Sequence, residues 1–196
     1  MTGSSLLPVT IHKGELYFLF GKECSLENSA KGFSDFGGGV DKNENIYETA
    51  LREGGEELTG FLGDDKILKQ HIDSHGGVYK LTHNTYHVHI FFLEYDENLP
   101  KYYNMNHKFI WDRMNRKYLN KTKLFEKIEI DWFNEKNMRE RKYEFRGFYQ
   151  HIVDHILSEI PQIKKFIFKS RKNKAKKTKT PKNRSKEQNK TRKIHG

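Results

Sequence analysis

Cysteine occurs once, at Cys24, which excludes an internal disulfide and any zinc site built from thiolates. Long apolar runs are absent. No stretch approaches the roughly 18 apolar residues of a membrane span, and the N-terminus, MTGSSLLPVTIHKGE, has no long apolar core. These absences fit a soluble intracellular protein, cytoplasmic and without a membrane partner. Acids are scarce in one region only. From Lys169 to Gly196 there are thirteen Lys or Arg and a single acid, Glu187, a net of +12, which leaves −2 for residues 1–168.

A chain of 196 residues, 35% hydrophobic and 13% aromatic, has enough apolar material for one core and an appendage. The expected division is a folded domain over 1–168 and a disordered polybasic tail over 169–196, whose one large aliphatic residue is Ile194. Lys169, Arg171, Lys172, Lys174, Lys176, Lys177 and Lys179 open that tail. Such a run is a solvated appendage, a nuclear-import signal (KNKAKKTK) or an arm for a polyanion such as RNA or DNA. Dense charge favours the arm, since it attracts phosphate backbones regardless of sequence.

Within the body, 15–23 (ELYFLFGKE) reads as an aromatic strand and 33–40 (FSDFGGGV) as a strand running into a glycine loop. Residues 41–58 show helical spacing at Ile46, Ala50 and Leu51, with Thr59-Gly60 as the stop. Residues 76–83 and 85–95 read as adjacent strands, 101–119 as a helix, 126–133 as a strand and 145–160 as an amphipathic helix. Interleaved strands and helices in a short chain point to an α/β (α+β) sandwich.

The stretch Arg52–Leu58, REGGEEL, is an odd helix. Glu53, Glu56 and Glu57 fall on one face, where like charges repel. Two adjacent glycines each cost about 0.8–1 kcal/mol in a helix interior. Either the segment is not a helix, or something positive sits against that face. With its flanks, the spacing is Gly38, five residues, Glu44, seven residues, Arg52-Glu53, two residues, Glu56-Glu57. This resembles the signature of Nudix hydrolases, and six residues are in register.

The resemblance covers about 8–160 and implies a Nudix-type α/β/α sandwich with a mixed sheet and a loop–helix–loop catalytic box. It also implies Mg²⁺ or Mn²⁺ as cofactor, held by Glu53, Glu56 and Glu57 with the carbonyl of Gly38, while Arg52 and Glu44 support them. Hard cations held by oxygen ligands neutralise the crowded charge of a pyrophosphate. The pattern departs at Gly54, where an apolar residue is usual, and at Thr59, where the family has glycine; a helix ending one residue late at Gly60 would accommodate this. Downstream, EKIEIDWF is similar to a late strand of the mRNA-decapping branch, in which the glutamate six residues before the tryptophan is a metal ligand or general base. That residue is Glu126 here, and Glu94 and Glu97 are rivals for the role. FRGFY resembles Nudix proteins of large DNA viruses.

His87 and His89 alternate on one strand face but lack a third soft ligand, so packing or stacking is their expected role. Phe33, Phe36, Tyr86 and Trp132 are core residues or base-stacking residues. Three functions remain open: removal of the 5′ cap of RNA, hydrolysis of small nucleotides, and non-catalytic binding of nucleic acid. The intact acid set argues against the last, and the basic tail favours the first.

Overall fold

The computed structural model describes residues 2–24, 31–119 and 126–178. Its strands are β1 (Gly3–His12), β2 (Glu15–Glu23), β3 (Phe33–Ser34), β4 (Phe36–Gly39), β5 (Tyr79–His83), β6 (Tyr86–Phe92) and β7 (Lys127–Asn134). Its helices are α1 (Ile46–Glu57), α2 (Asp65–Ser74), α3 (Asn98–Trp111), α4 (Arg116–Leu119), α5 (Glu135–Glu140), α6 (Tyr149–Ser158) and α7 (Ile160–Thr178).

A wedge in the sheet positions everything else. Lys13 and Gly14, at φ 48° and 84°, make the two-residue turn that joins β1 to β2. The two strands pair from His12↔Glu15 at the turn as far as Val9↔Phe18 and then separate. Into the gap comes a strand broken at Asp35: β3 pairs with β2, and β4 with β1 from Leu6↔Phe36 to Gly3↔Gly39. Pro8 sits in this central strand without cost to the ladder. The odd residues Gly3 and Val9 bond to the β6 side, so Pro8 points its missing N–H to the other side, at the step between β4 and β2. β6 runs parallel to β1, β5 closes the edge beyond it, and β7 lines the far side of β2.

Both faces of the sheet are covered. Leu6 and Phe91 meet Ala50, Leu51, Leu68 and Ile72 from α1 and α2. Their neighbours in sequence, Leu7, Ile90 and Phe92, point the other way, against Ile152, Val153 and Ile156 of α6 and Ile163 and Ile167 of α7. α3 rests on β7 through Tyr103, which joins Leu19, Ile130 and Trp132. The result is a mixed-sheet α/β/α sandwich.

Several expectations need correction. The helix over 101–119 is two, α3 and α4, and that over 145–160 begins only at Tyr149, leaving Phe145 in the core. β1 and α2 were not anticipated. The tail boundary at 168/169 is also displaced: α7 continues to Thr178, and Ser170 is buried with its hydroxyl donating to the Phe166 carbonyl. Lys169, Arg171, Lys172, Lys174, Lys176 and Lys177 therefore belong to a helix, whereas Lys179 and the rest of the tail lie outside the described residues.

α1 starts with a capping box, Asn45 accepting from the Glu48 N–H while Glu48 accepts from that of Asn45. It does not end late. Leu58 is the cap, the Thr59 N–H donates to Glu56 and that of Gly60 to Gly55, the pairing of a Schellman motif. Thr59 itself takes the left-handed position, φ 50°, at a cost of about 1 kcal/mol or more for a β-branched residue. Gly54 is explained by approach: a Cβ there would lie 2.6 Å from Leu6 Cδ1, whereas at Gly55 the nearest atom is 3.6 Å away. Gly55→Ala should stabilise the fold by up to about 1 kcal/mol, its helix-propensity gain. Gly54→Ala should instead destabilise it by about 1–2 kcal/mol, because overpacking against Leu6 outweighs that gain. Urea denaturation of the two variants measures both; equal shifts would show that α1 does not press on β1.

Candidate active site

The positive partner required by the acid face is Arg52, from the same helix. Its Nε and Nη2 donate to the two oxygens of Glu44, at 2.7 and 3.1 Å, and its Nη1 donates to Glu53 at 2.8 Å and Glu56 at 3.4 Å. The fork onto Glu44 is the geometry guanidinium favours, and it raises the Arg52 pKa further. Glu53 lies against bare backbone, since a Cβ at Gly38 would stand 2.5 Å from Glu53 Oε1. A side chain at Gly38 would displace that carboxylate.

Glu57 turns inward and is 5% exposed. One oxygen accepts from the Gly37 N–H at 2.8 Å; the other is 3.5 Å from the Lys127 ammonium. Lys127 is wholly enclosed and also donates to Glu23 at 2.5 Å and to Ser34 Oγ at 2.8 Å. Arg146 reaches Glu23 from α6's leading turn, Nη1 to Oε1 at 2.8 Å. Burial pushes the Glu57 carboxyl well above its usual range; Lys127 opposes this, while the charges of Glu23, Glu126 and Glu53 add to it. For Lys127, burial would lower the ammonium, but Glu57 and Glu23 outweigh it and hold its pKa above the ordinary value.

Beside this cluster Asp35, at the strand break, accepts from Ser5 Oγ and from Tyr86 OH at 2.7 Å, and burial raises its pKa. A cavity of about 480 Å³ opens over the glycine strip, lined by Gly37, Gly38, Tyr86, Arg146, Phe148 and His151. The Arg146 guanidinium lies 4.9 Å from the centre of the Phe148 ring.

The structure thus gathers Gly38, Glu44, Arg52, Glu53, Glu56 and Glu57. Glu126, immediately before β7, lies close enough for its charge to act on Glu57, whereas Glu94 and Glu97 sit at the entry to α3. Phe33, Phe36 and Trp132 are core residues, and Tyr86 alone of the four stacking candidates lines the cavity. His89 is buried beside the Ser5 carbonyl, its pKa pushed down to about 4 by burial, and His87 pairs with Thr82. Glu23, Lys127 and Asp35 were not singled out by the sequence, and Arg146 and Phe148 entered only as part of FRGFY. The signal for Glu23 and Lys127 is their cross-strand pairing, visible only once the register is known.

No three His, Cys, Asp or Glu side chains among the described residues form a ready ligand group: Arg52 engages Glu53 and Glu56, while Gly37 and Lys127 engage Glu57. The donors are nonetheless the carboxylates and backbone carbonyl that Mg²⁺ or Mn²⁺ takes. By donor chemistry the residues fit a hard divalent cation.

No family model matches the chain, and no curated protein does. Among solved structures it resembles a C. elegans Ap4A hydrolase in a binary complex, with TM-score 0.38 and 13% identity over 90% of this chain and 97% of that one. It also resembles Shewanella oneidensis NrtR, with TM-score 0.37 and 10% identity, over 90% of this chain and 64% of that one. The mixed α/β/α sandwich with a loop–helix–loop laid on it is the Nudix-type arrangement that the sequence resemblance implies.

Lys127→Ala should lower the unfolding free energy by about 3–5 kcal/mol, because Glu57 would be left buried without its cation and Glu23 with Arg146 alone. Adding Glu23→Gln should recover part of the loss. A change below about 1 kcal/mol in denaturant titration would contradict the enclosed ion network.

Proposed function

We propose that the chain is a divalent-metal-dependent Nudix pyrophosphohydrolase acting on a nucleoside-diphosphate-linked substrate, with the 5′ cap of RNA as the first choice. The observation that carries the reading is the convergence of Glu53 and Glu57 on the Gly37–Gly38 strip, with Glu56 tied to Glu53 through Arg52, itself fixed on Glu44. Glu53, Glu56 and Glu57 would hold Mg²⁺ or Mn²⁺, with help from the Gly38 carbonyl, and the cation would neutralise the diphosphate. Arg52 and Glu44 keep the helix's acids aligned. Glu126 takes the proton of the attacking water, whose oxygen bonds to one phosphorus as the anhydride P–O bond breaks and the other phosphate leaves. The cavity by Tyr86, Arg146 and Phe148 receives the nucleoside.

The basic half of α7, with Lys169, Arg171 and Lys172 exposed along it, supports an RNA substrate by attracting the transcript body. Hydrolysis of small nucleotides is the second reading, since a cavity of about 480 Å³ takes one nucleoside with no strand attached. A purely nucleic-acid-binding role leaves the assembled acids without purpose.

Glu56→Gln should lower turnover by roughly two orders of magnitude or more without changing the melting temperature, because it removes a ligand charge from an outward-facing side chain. Excess EDTA should abolish wild-type activity. Steady-state rates on capped RNA and on nucleotides read both, and full activity in EDTA would rule out the metal mechanism.

A further inference from the structure

α3 buries little of itself. Its fully buried residue is Tyr103, and on the opposite face Tyr102, Met105 and Phe109 are 55%, 59% and 57% exposed. Their spacing of three and then four residues lines them up in one stripe. Helical geometry places Lys101 and Lys108 along one side of it, and Arg113, just past the helix end, sets its guanidinium 3.8 Å from the Phe109 ring centre. Between Asn98 and Leu119 there are five Lys or Arg and one acid, Asp112. On the buried side, Tyr103 OH donates to the backbone carbonyls of Glu57 and Lys127 at 2.9 and 3.2 Å. The stripe is therefore about one helix diameter, roughly 10 Å, from the acid cluster.

We infer that this face of α3 is a platform for single-stranded nucleic acid, bases stacking on Tyr102 and Phe109 while phosphates pair with Lys101, Lys108 and Arg113. An apolar stripe alone would suit a protein partner, but two lysines along its edge and an arginine over Phe109, with one acid from Asn98 to Leu119, complement a polyanion. Aromatic faces bordered by cations are how sequence-tolerant single-strand binders work. The binding surface is independent of the basic end of α7. Only its use, to lead a long substrate away from the acid cluster, rests on the proposed hydrolase reading.

The test uses the full-length chain and a fluorescein-labelled 12-nucleotide RNA of mixed sequence, read by fluorescence anisotropy in EDTA over a range of KCl. Tyr102→Ser/Phe109→Ser should weaken binding at least tenfold, the loss expected from about one stacked base. It should leave the salt dependence unchanged because no charge is altered. Lys101→Gln/Lys108→Gln should weaken binding and lower the slope of log Kd against log salt by about 1.4, two single-strand phosphates' worth. Circular dichroism and melting confirm that these surface variants fold. Wild-type affinity in the aromatic variant overturns the proposal. So does conversion of a wild-type dimer to a monomer with RNA affinity intact, which would make the stripe a self-association face. Since binding is read without turnover, either result leaves the hydrolase reading to its own assay.

Discussion

The ammonium of Lys127, enclosed between Glu23 and Glu57, is the interaction on which the rest of the site depends. It joins the end of β2, the start of β7 and the last residue of α1 at one point. Desolvating these ions costs several kcal/mol each, so the arrangement holds only with its further donors in place: Ser34 beside Lys127, Arg146 on Glu23 and the Gly37 N–H on Glu57. The consequence is positional. The C-terminal end of the acid helix cannot shift relative to the glycine strip without uncovering a buried charge.

The wedge between β1 and β2 makes room for that arrangement. Because the two strands part after Val9, β4 can enter and present Gly37 and Gly38 to α1. Gly54 lets the helix settle on Leu6 close enough for Glu53 and Glu57 to reach the strip. The REGGEEL segment thus contains its own answer: a glycine for approach, an arginine for the acids that face outward, and a lysine from a distant strand for the one that faces in. Thr59 accepts a strained backbone to end the helix on register.

The acid box was legible because one helix and its lead-in loop fix the spacing, so Gly38, Glu44, Arg52, Glu53, Glu56 and Glu57 come together by local geometry. β2 was legible from its aromatic run. Glu23 and Lys127 were not, since 104 residues separate them and only strand register makes them neighbours. β1 is buried on both faces and interrupted by Pro8, which hides its period. The basic segment misled for a different reason. Charge density suggested disorder, but Ile163 and Ile167 anchor the first half of α7 in the core, and lysine and alanine, both good helix formers, carry the helix onward.

If this assembly of acids holds a metal as proposed, it hydrolyses a phosphoric anhydride. The direct measurement is product identification after incubating the purified chain with Mn²⁺ in ¹⁸O-water, using cap-labelled RNA and a panel of nucleoside polyphosphates. Release of a nucleoside diphosphate from capped RNA is expected, with one ¹⁸O atom entering a phosphate at the broken linkage. Folded protein that leaves capped RNA and every nucleotide intact, with Mn²⁺ or Mg²⁺ present, would contradict it.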